Sequence, residues 1–448
     1  VTIMSRTLHF SIVALAAVWN MAGGDSCSQS PGDATAGAAH PAATVAGPVA
    51  ATPAATASAT TPASDDEDYA IPSAPFTDAQ RNFDEVRKTL LSGYYDPSIT
   101  EDALYRAAVA GMLERVDPAM RKWNKLLSPD DLAELRRDLQ GEIVGVGVKI
   151  SFDPATGYAD VLGAIPGSPA EKAGLAAPDK IVTVDGKLYK GLTLRDVVTD
   201  IRGKAGDTVK LSVLRGDKLV VVPVVREKVV YDTVTELVVD GDVGYVRIPA
   251  FNARTPDALA AVLSDLVGKK VRGAVLDLRG CPGGSFDDAV AAASEMLPAG
   301  AVVANVKKRA TTEVVTSKRA PILTGVPLAV LVDHASSSSA ELVAAALQEG
   351  DHAVLVGQRT YGKWTVQMID DLPNGYAMKY TSGLFQSPSG RSFQGVGLPP
   401  DVEVDMPAAA VETAEAITDP GKRLEADTQL RTAVALLAGD GRAPGVRH

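Results

Sequence analysis

Two stretches of the sequence set reactive side chains where a strand gives way to a turn. In LVDHASSSSAELVAAALQEG the apolar strand ends at Asp333, and four serines lead into a helix. A serine at a helix start presents its hydroxyl above the sheet, beside N–H groups that supply positive potential. Serine is also a common N-cap, so the turn alone does not establish a nucleophile. In VLVGQRTYGKWTVQ, Gly362-Lys363 follows a turn and WTVQ re-enters a strand, so a period of two puts Lys363, Thr365 and Gln367 on one face. Flanked by Tyr361 and Trp364, the lysine would lose water, shed basicity and serve as a neutral base. Most lysines near strand ends are solvated, so this second signal is also weak alone. Histidine is the competing base: His334 stands four residues before Ser338, and His352 lies in the next loop. His334 ends a strand and reads as a turn residue, and the chain lacks the GxSxG nucleophile-elbow pattern.

The elements that must position these side chains begin near residue 217. GDVGYVRIPA and VRGAVLDLRG read as strands, as do VPLAVLVD and HAVLVG. Between them TPDALAAVLSDLV, SFDDAVAAASEML and residues 338–349 read as helices, the first capped by Thr255 with Pro256 at its first position. Apolar strands alternating with such helices predict a layered sheet with its chemistry at the strand C-terminal ends. Residues 140–216 instead carry short Val/Ile-rich strands around two helices, SPAEKAGL and TLRDVVTDI, with an Asp185-Gly186 turn. Residues 76–135 read as three helices. Phe83, Val86, Leu90 and Leu91 stand at helical spacing in the first, Thr100 caps the second, and Ser128-Pro129 opens the third.

The first 75 residues do not read as folded core. Arg6 precedes an apolar run from Phe10 to Trp19, too short to span a membrane and fitting an export signal. Cys27 follows where a lipoprotein would carry its acylated cysteine, although the preceding GDS lacks the usual leucine. Residues 31–64 are almost wholly Ala, Pro, Thr, Gly and Ser, which cannot bury enough side chain to offset ordering entropy. The acidic run Asp65–Asp68 closes this tether. Across the 448 residues, 44 Lys+Arg against 55 Asp+Glu give a net charge of -11, which argues against a nucleic-acid partner. Two cysteines, Cys27 and Cys281, exclude a disulfide framework and a Cys-based zinc site, and the five histidines are scattered. No metal and no cofactor are expected.

Two resemblances join these pieces. The string GSPAEKAGL followed by DKIxxVxG, residues 167–186, resembles a PDZ domain of the bacterial protease-associated type. That resemblance implies capture of a peptide's C-terminal carboxylate by backbone N–H groups of the loop Gly145-Val146-Gly147-Val148, beside an exposed strand edge. The whole stretch from about 76 to 405 resembles the carboxy-terminal processing, or tail-specific, proteases. The family's SASASE appears as SSSSAE at 336–341, TFGKGxVQ as TYGKWTVQ, and DLRxNPGG as DLRGCPGG at 277–284. Its tail motif appears as PSGRSFQGVGLPPD at 388–401, and its early motif as GMLERVDP at 111–118. The chain departs from the family at three places. Trp364 replaces a glycine, Cys281 replaces an asparagine, and the small residues around the nucleophile differ, which leaves Ser337 and Ser339 open as attackers.

The resemblance implies an α+β multidomain chain: a crotonase/ClpP-like α/β protease core with a PDZ domain and an N-terminal helical domain. The expected boundaries are 1–27 export signal, 28–75 tether, 76–137 helical domain, 138–217 PDZ domain, 218–410 protease core and 411–448 C-terminal helical extension. It implies Ser338 as nucleophile, from the family spacing of twenty-five residues to Lys363, with Lys363 as base and Gln367 orienting its amine. The oxyanion would be held by N–H groups of Ser339 and of the turn at Gly283 or Gly284. Val146, Gly147 and Val148 would bind the substrate tail. Expected partners are proteins with exposed C-termini and an activator or adaptor, in the periplasm or cell envelope, with a candidate lipid anchor. The competing class is a catalytically inactive PDZ scaffold that binds tails.

Overall fold

The computed structural model describes residues 74–153, 157–188, 194–230, 233–415 and 417–438. The export signal, Cys27 and nearly all of the tether lie outside the described residues. So do the chain's last ten residues. No helix among the described residues is long and apolar enough to cross a membrane.

The described part up to Ala108 is a unit of its own. It holds α1 (Ala79–Gly93) and the first half of α2 (Glu101–Arg115). Phe83 and Tyr105 bring their rings to 6.2 Å, and Arg87 lies over Tyr105 and pairs with Glu101. The Thr100 hydroxyl accepts the Ala103 N–H as expected of a cap. The apolar stripe of α1 is not covered within this unit: Phe83, Val86 and Leu91 all remain exposed.

The remainder is a second unit. Its first elements, β1 (Lys125–Leu127) and α3 (Pro129–Leu139), pack on one another through Leu127, Leu132 and Leu135. Ser128 caps α3 with a full capping box to Asp131. β2 (Glu142–Gly145) then pairs with β9 (Glu227–Val230). Between these two strands lies a five-strand antiparallel path in the order β3 (Val148–Asp153), β4 (Tyr158–Ala164), β5 (Lys180–Val184), β7 (Thr208–Arg215), β8 (Lys218–Val225), with β6 (Lys187–Leu188) on β5. α4 (Pro169–Lys172), capped by Ser168, and α5 (Leu194–Ile201) complete it. Alternation buries Val209, Leu211 and Val213 of β7 against Ile181 and Val197. β8 pairs with β7 from Thr208 to Arg215, so this sheet continues past residue 217 to Val225.

The α/β part carries two sheets. The first has the order β10 (Thr235–Val239), β11 (Val243–Arg247), β12 (Gly273–Asp277), β15 (Leu328–Val332), β16 (Ala353–Gly357), β19 (Val402–Glu403). From β11 onward it is parallel, and only β10 runs antiparallel. β12 and β15 are buried at every position, which explains their unbroken apolar sequence. On one face lie α6 (Thr255–Gly268), α7 (Phe286–Ser294) and α8 (Ser339–Glu349); α11 (Thr428–Ala438) packs on the other. Thr255 sits inside α6 rather than capping it: its hydroxyl accepts the Asn252 N–H, while Asn252 Oδ1 accepts the Arg254 N–H. The second sheet is antiparallel. β18 (Ala377–Gln386) has β17 (Thr365–Asp371) on one edge, and β1 and β13 (Val302–Lys308) share the other, with β14 (Thr312–Thr316) beyond β13.

The C-terminal helices α9 (Ala408–Glu415), α10 (Pro420–Ala426) and α11 are tied in by a buried charge array. Arg279, fully buried, donates to Asp277, to Asp427 and to Gln429 Oε1. Arg247 pairs with Glu415, and Arg423 donates to the Tyr245 hydroxyl, which donates to Asp277 at 2.7 Å. Burial alone would raise the Asp277 carboxyl, yet Arg279 and Arg247 hold it well below the usual range. Three carboxylates thus balance three guanidinium groups out of reach of solvent. Asp427→Ala leaves Arg279 under-compensated and should lower unfolding free energy by about 3–5 kcal/mol. Urea denaturation followed by circular dichroism checks this; a loss below about 1 kcal/mol would mean that solvent reaches the array.

Candidate active site

The turn after β15 sorts its four serines. The Ser336 hydroxyl donates to Leu278 O at 2.8 Å, Ser337 to Pro282 O at 2.9 Å and Ser339 to Gly284 O at 3.1 Å, and all three residues are buried. Ser338 is partly exposed and stands at the N-cap of α8. Its backbone, at φ 57° and ψ -118°, is strained for a residue with a side chain. The turn after β12 is strapped to it, since Ser337 N–H donates to Cys281 O at 2.9 Å. Gly283, at φ +93°, lies so close that a Cβ there would sit 2.8 Å from Ser339 N and 2.9 Å from Ser338 Cβ. At Gly284 (φ +140°) a Cβ would meet Phe251 O at 2.0 Å. Gly283 is therefore required for this approach and Gly284 for the fit of the turn against Phe251, and the Pro-Gly-Gly turn lies directly against Ser338.

One buried carboxylate joins the serine turn to the lysine turn. Glu341 Oε2 accepts the Ser338 N–H at 2.9 Å and the Lys363 N–H at 2.8 Å. Its Oε1 accepts the Thr360 hydroxyl at 2.5 Å, the Gly362 N–H at 2.7 Å and the Trp364 indole N–H at 3.1 Å. Burial pushes this carboxyl above its usual range, opposed by hydrogen bonds that all favour the carboxylate. Sequence reasoning quoted the glutamate only as the last letter of a motif. The signal for it was its position, three residues after the N-cap serine.

Lys363 precedes β17 and is 4 % exposed. Burial lowers its amine to about 8, with Glu341 opposing and Lys122 adding to the fall. The ring over the amine is Trp123, at 4.6 Å from Nζ to the ring centroid. Lys122 Nζ lies 4.5 Å from the same ring and donates to the Tyr361 hydroxyl at 3.0 Å. Neither Lys122 nor Trp123 was singled out from the sequence. Gln367 and Thr365 share a face as expected: Gln367 Nε2 reaches Thr365 Oγ1 at 3.3 Å and Thr381 Oγ1 at 2.8 Å. Its buried carbonyl oxygen has no hydrogen-bond partner among the described residues.

The departures also find places. Trp364 is fully buried, stacked on Phe385 at 4.7 Å and tilted against Phe393. Cys281 is fully buried, and burial pushes its thiol up to about 12, which leaves it inert. His334 is exposed in the turn. The tail motif folds back onto the lysine loop, with Gln394 Oε1 accepting the Trp364 N–H at 2.6 Å. Away from this site, Val146 and Gly147 form the connection between β2 and β3, and Val148 opens β3. The carbonyls of Val146 and Gly147 accept from Ala170 and Ile165, while their N–H groups meet no backbone carbonyl among the described residues.

A compact antiparallel domain leading into an α/β core, with a serine at a helix start tied to a buried lysine, is the build of a PDZ-bearing serine peptidase. Comparison with known proteins agrees. Residues 242–404 match Peptidase family S41, and residues 147–225 match a PDZ domain. A carboxy-terminal-processing protease of Bartonella bacilliformis is 32% identical over 333 residues, covering 72% of this chain and 74% of that protein. A carboxyl-terminal-processing protease of Picosynechococcus is 34% identical over 312 residues, covering 68% and 74%. The solved structure of a Bacteroides fragilis protein assigned to the S41 proteases shares the fold, with a TM-score of 0.51 at 20% identity over 79% of this chain and 97% of that one. The chain belongs to the S41 family of carboxy-terminal-processing proteases. It is a serine-type endopeptidase that engages C-terminal tails through its PDZ domain.

Proposed function

We propose that Ser338 is the nucleophile, Lys363 the general base and Gln367 the residue that orients its amine. The observation that carries this reading is the sorting of the serine turn. Three hydroxyls are fixed to carbonyls, while Ser338 stands partly exposed and shares Glu341 Oε2 with the backbone of Lys363. The neutral Lys363 amine takes the Ser338 proton as Oγ attacks the scissile carbonyl, forming a tetrahedral intermediate. The N–H groups of Ser339 and of Gly283 or Gly284 hold its oxyanion. The lysine then gives that proton to the leaving amine and the acyl-enzyme forms. Water, deprotonated by the same amine, completes hydrolysis. The unpartnered Gln367 carbonyl supplies an acceptor for the amine.

The core, with a parallel sheet and an antiparallel one flanking the site, supports a crotonase/ClpP-like assignment. We divide the chain into signal, tether, helical domain, PDZ domain, core and C-terminal extension, with the PDZ domain running to Val225, where its sheet ends, rather than to 217. The loop Val146-Gly147-Val148 binds the tail carboxylate, supported by its two N–H groups that meet no backbone acceptor among the described residues. Tail capture raises the local concentration of scissile bonds. The apolar run and Cys27 support export to the cell envelope with a lipid anchor, and an activator or adaptor is an expected partner.

A serine-directed phosphonate tests the nucleophile. Mass spectrometry should place one adduct on the peptide carrying Ser338, and labelling should accelerate as pH rises through about 8, where Lys363 loses its proton. An adduct on Ser337 or Ser339, or a pH-independent rate, would overturn the assignment.

A further inference from the structure

Beside the Lys363 amine stands a cation that the proposed hydrolysis does not use. Lys122 lies in the turn before β1 and is exposed. Its ammonium is nonetheless fixed in place. It donates to the Tyr361 hydroxyl at 3.0 Å and lies 4.5 Å from the centre of the Trp123 ring and 5.3 Å from that of Tyr361. The two rings meet edge to face at 6.2 Å. Tyr361 is in turn tied to the serine turn, since its N–H donates to Ser336 O at 3.0 Å. No carboxylate pairs with Lys122 among the described residues. A lysine held this way has given up rotamer freedom without being neutralised. The Tyr361 O–H donates to no protein atom among the described residues, and the buried Trp123 indole N–H has no partner there either. A phenylalanine at 361 would keep both ring contacts, so packing does not account for the hydroxyl. The cluster is a set of donors in want of an acceptor.

We propose that Lys122 and the Tyr361 hydroxyl form a subsite for a carboxylate side chain of the substrate, an Asp or Glu within about three residues of the scissile bond. This rests on Lys363 marking the reacting centre. The Lys363 Nζ lies 4.6 Å from the centre of the same Trp123 ring. An extended chain advances about 3.3 Å per residue, so a substrate drawn across Lys363 carries its neighbouring side chains past Lys122. One carboxylate oxygen takes an ammonium N–H and the other the phenol O–H, which is what two donor atoms 3.0 Å apart offer a planar acceptor. The other carboxylate that a substrate brings is the one at its C-terminus, and the PDZ loop accounts for that. The same ammonium disfavours Lys or Arg at the position it faces.

The test is a set of matched peptides carrying Asp, Asn or Lys at one position, scanned along both sides of the cleaved bond and made with free and with amidated C-termini. With the parent protein, kcat/KM for Asp should exceed that for Asn by about fivefold at one position, the size of a partly exposed ion pair, with Lys below both. The difference should lie in KM, because the pair is made alike in ground and transition states, and should shrink in high salt. Lys122→Ala and Lys122→Gln should abolish the preference, Lys122→Glu should invert it in favour of Lys, and Tyr361→Phe should weaken it. The readout is a ratio within each variant, so a general loss of activity cancels, and the paired substitutions cover one that fails to fold. A parent without preference at any position, or a preference that survives Lys122→Ala, would overturn the proposal while leaving the base assignment standing. A Lys122-dependent preference that follows the free C-terminus rather than Asp would overturn the side-chain source. Full activity in Lys363→Ala would instead remove the reading beneath it.

Discussion

Peptide hydrolysis by the Ser338→Ala variant is expected to fall by about 10⁴-fold or more, with an unchanged far-ultraviolet spectrum. That is roughly 5–6 kcal/mol of lost transition-state stabilisation. Lys363→Ala should lose as much, and the double variant no more than either, because nucleophile and base act as one unit. Lys363→Arg should not rescue, since a guanidinium stays charged and cannot accept the serine proton. The neighbouring serines provide the internal control. Ser337→Ala and Ser339→Ala each remove one bond to the Pro-Gly-Gly turn. They should cost about 1 kcal/mol of stability and less than tenfold in rate. The measurement is digestion of an unfolded protein with an apolar C-terminus, comparing all variants with the parent. Equal digestion by the parent and by Ser338→Ala would sink the dyad, and loss confined to Ser337→Ala would move the nucleophile by one residue.

Much of the fold could be read from the chain because its signals are local. Unbroken apolar runs mark β12 and β15, and Ser128 and Ser168 mark helix starts that the structure reproduces. What escaped was long-range. Nothing near Lys363 announces that its amine is desolvated by Trp123, a residue 240 positions away that β1 carries in by pairing with β18. The aromatic neighbour in sequence, Trp364, turns instead into the core. Likewise Asp427 and Gln429 read as ordinary polar residues of a C-terminal extension, yet they complete the shell of Arg279. Helical spacing in α1 gave the element but not its cover, because periodicity reports which residues share a face and not what lies against it. The proposed site was drawn from the motif spacing of Ser338, Lys363 and Gln367. The group that joins their turns was visible as a letter but not as a hub.

That hub carries the second large effect. Glu341→Ala should lower unfolding free energy by at least about 3 kcal/mol and abolish measurable hydrolysis, since five donors converge on its two oxygens. Three are backbone N–H groups with fixed positions, at Ser338, Gly362 and Lys363, so they cannot turn away to find other acceptors. The strained Ser338 backbone needs such a restraint: without the bond at its N–H, relaxation toward an ordinary helix N-cap would re-aim the hydroxyl. Glu341→Gln separates packing from charge. The amide keeps the volume but turns one oxygen into a donor pointed at donors, so kcat should still fall by about 10²–10³-fold while KM changes little. Trp364→Phe removes a single indole bond and keeps the stack on Phe385, and should cost less than tenfold in kcat. The ordering of kcat across Ala, Gln and the tryptophan variant, read beside their melting temperatures, is the check. If Glu341→Gln melts early but turns over at the parent rate, the register of Ser338 against Lys363 is held by the Gly283 approach instead, and the carboxylate is structural.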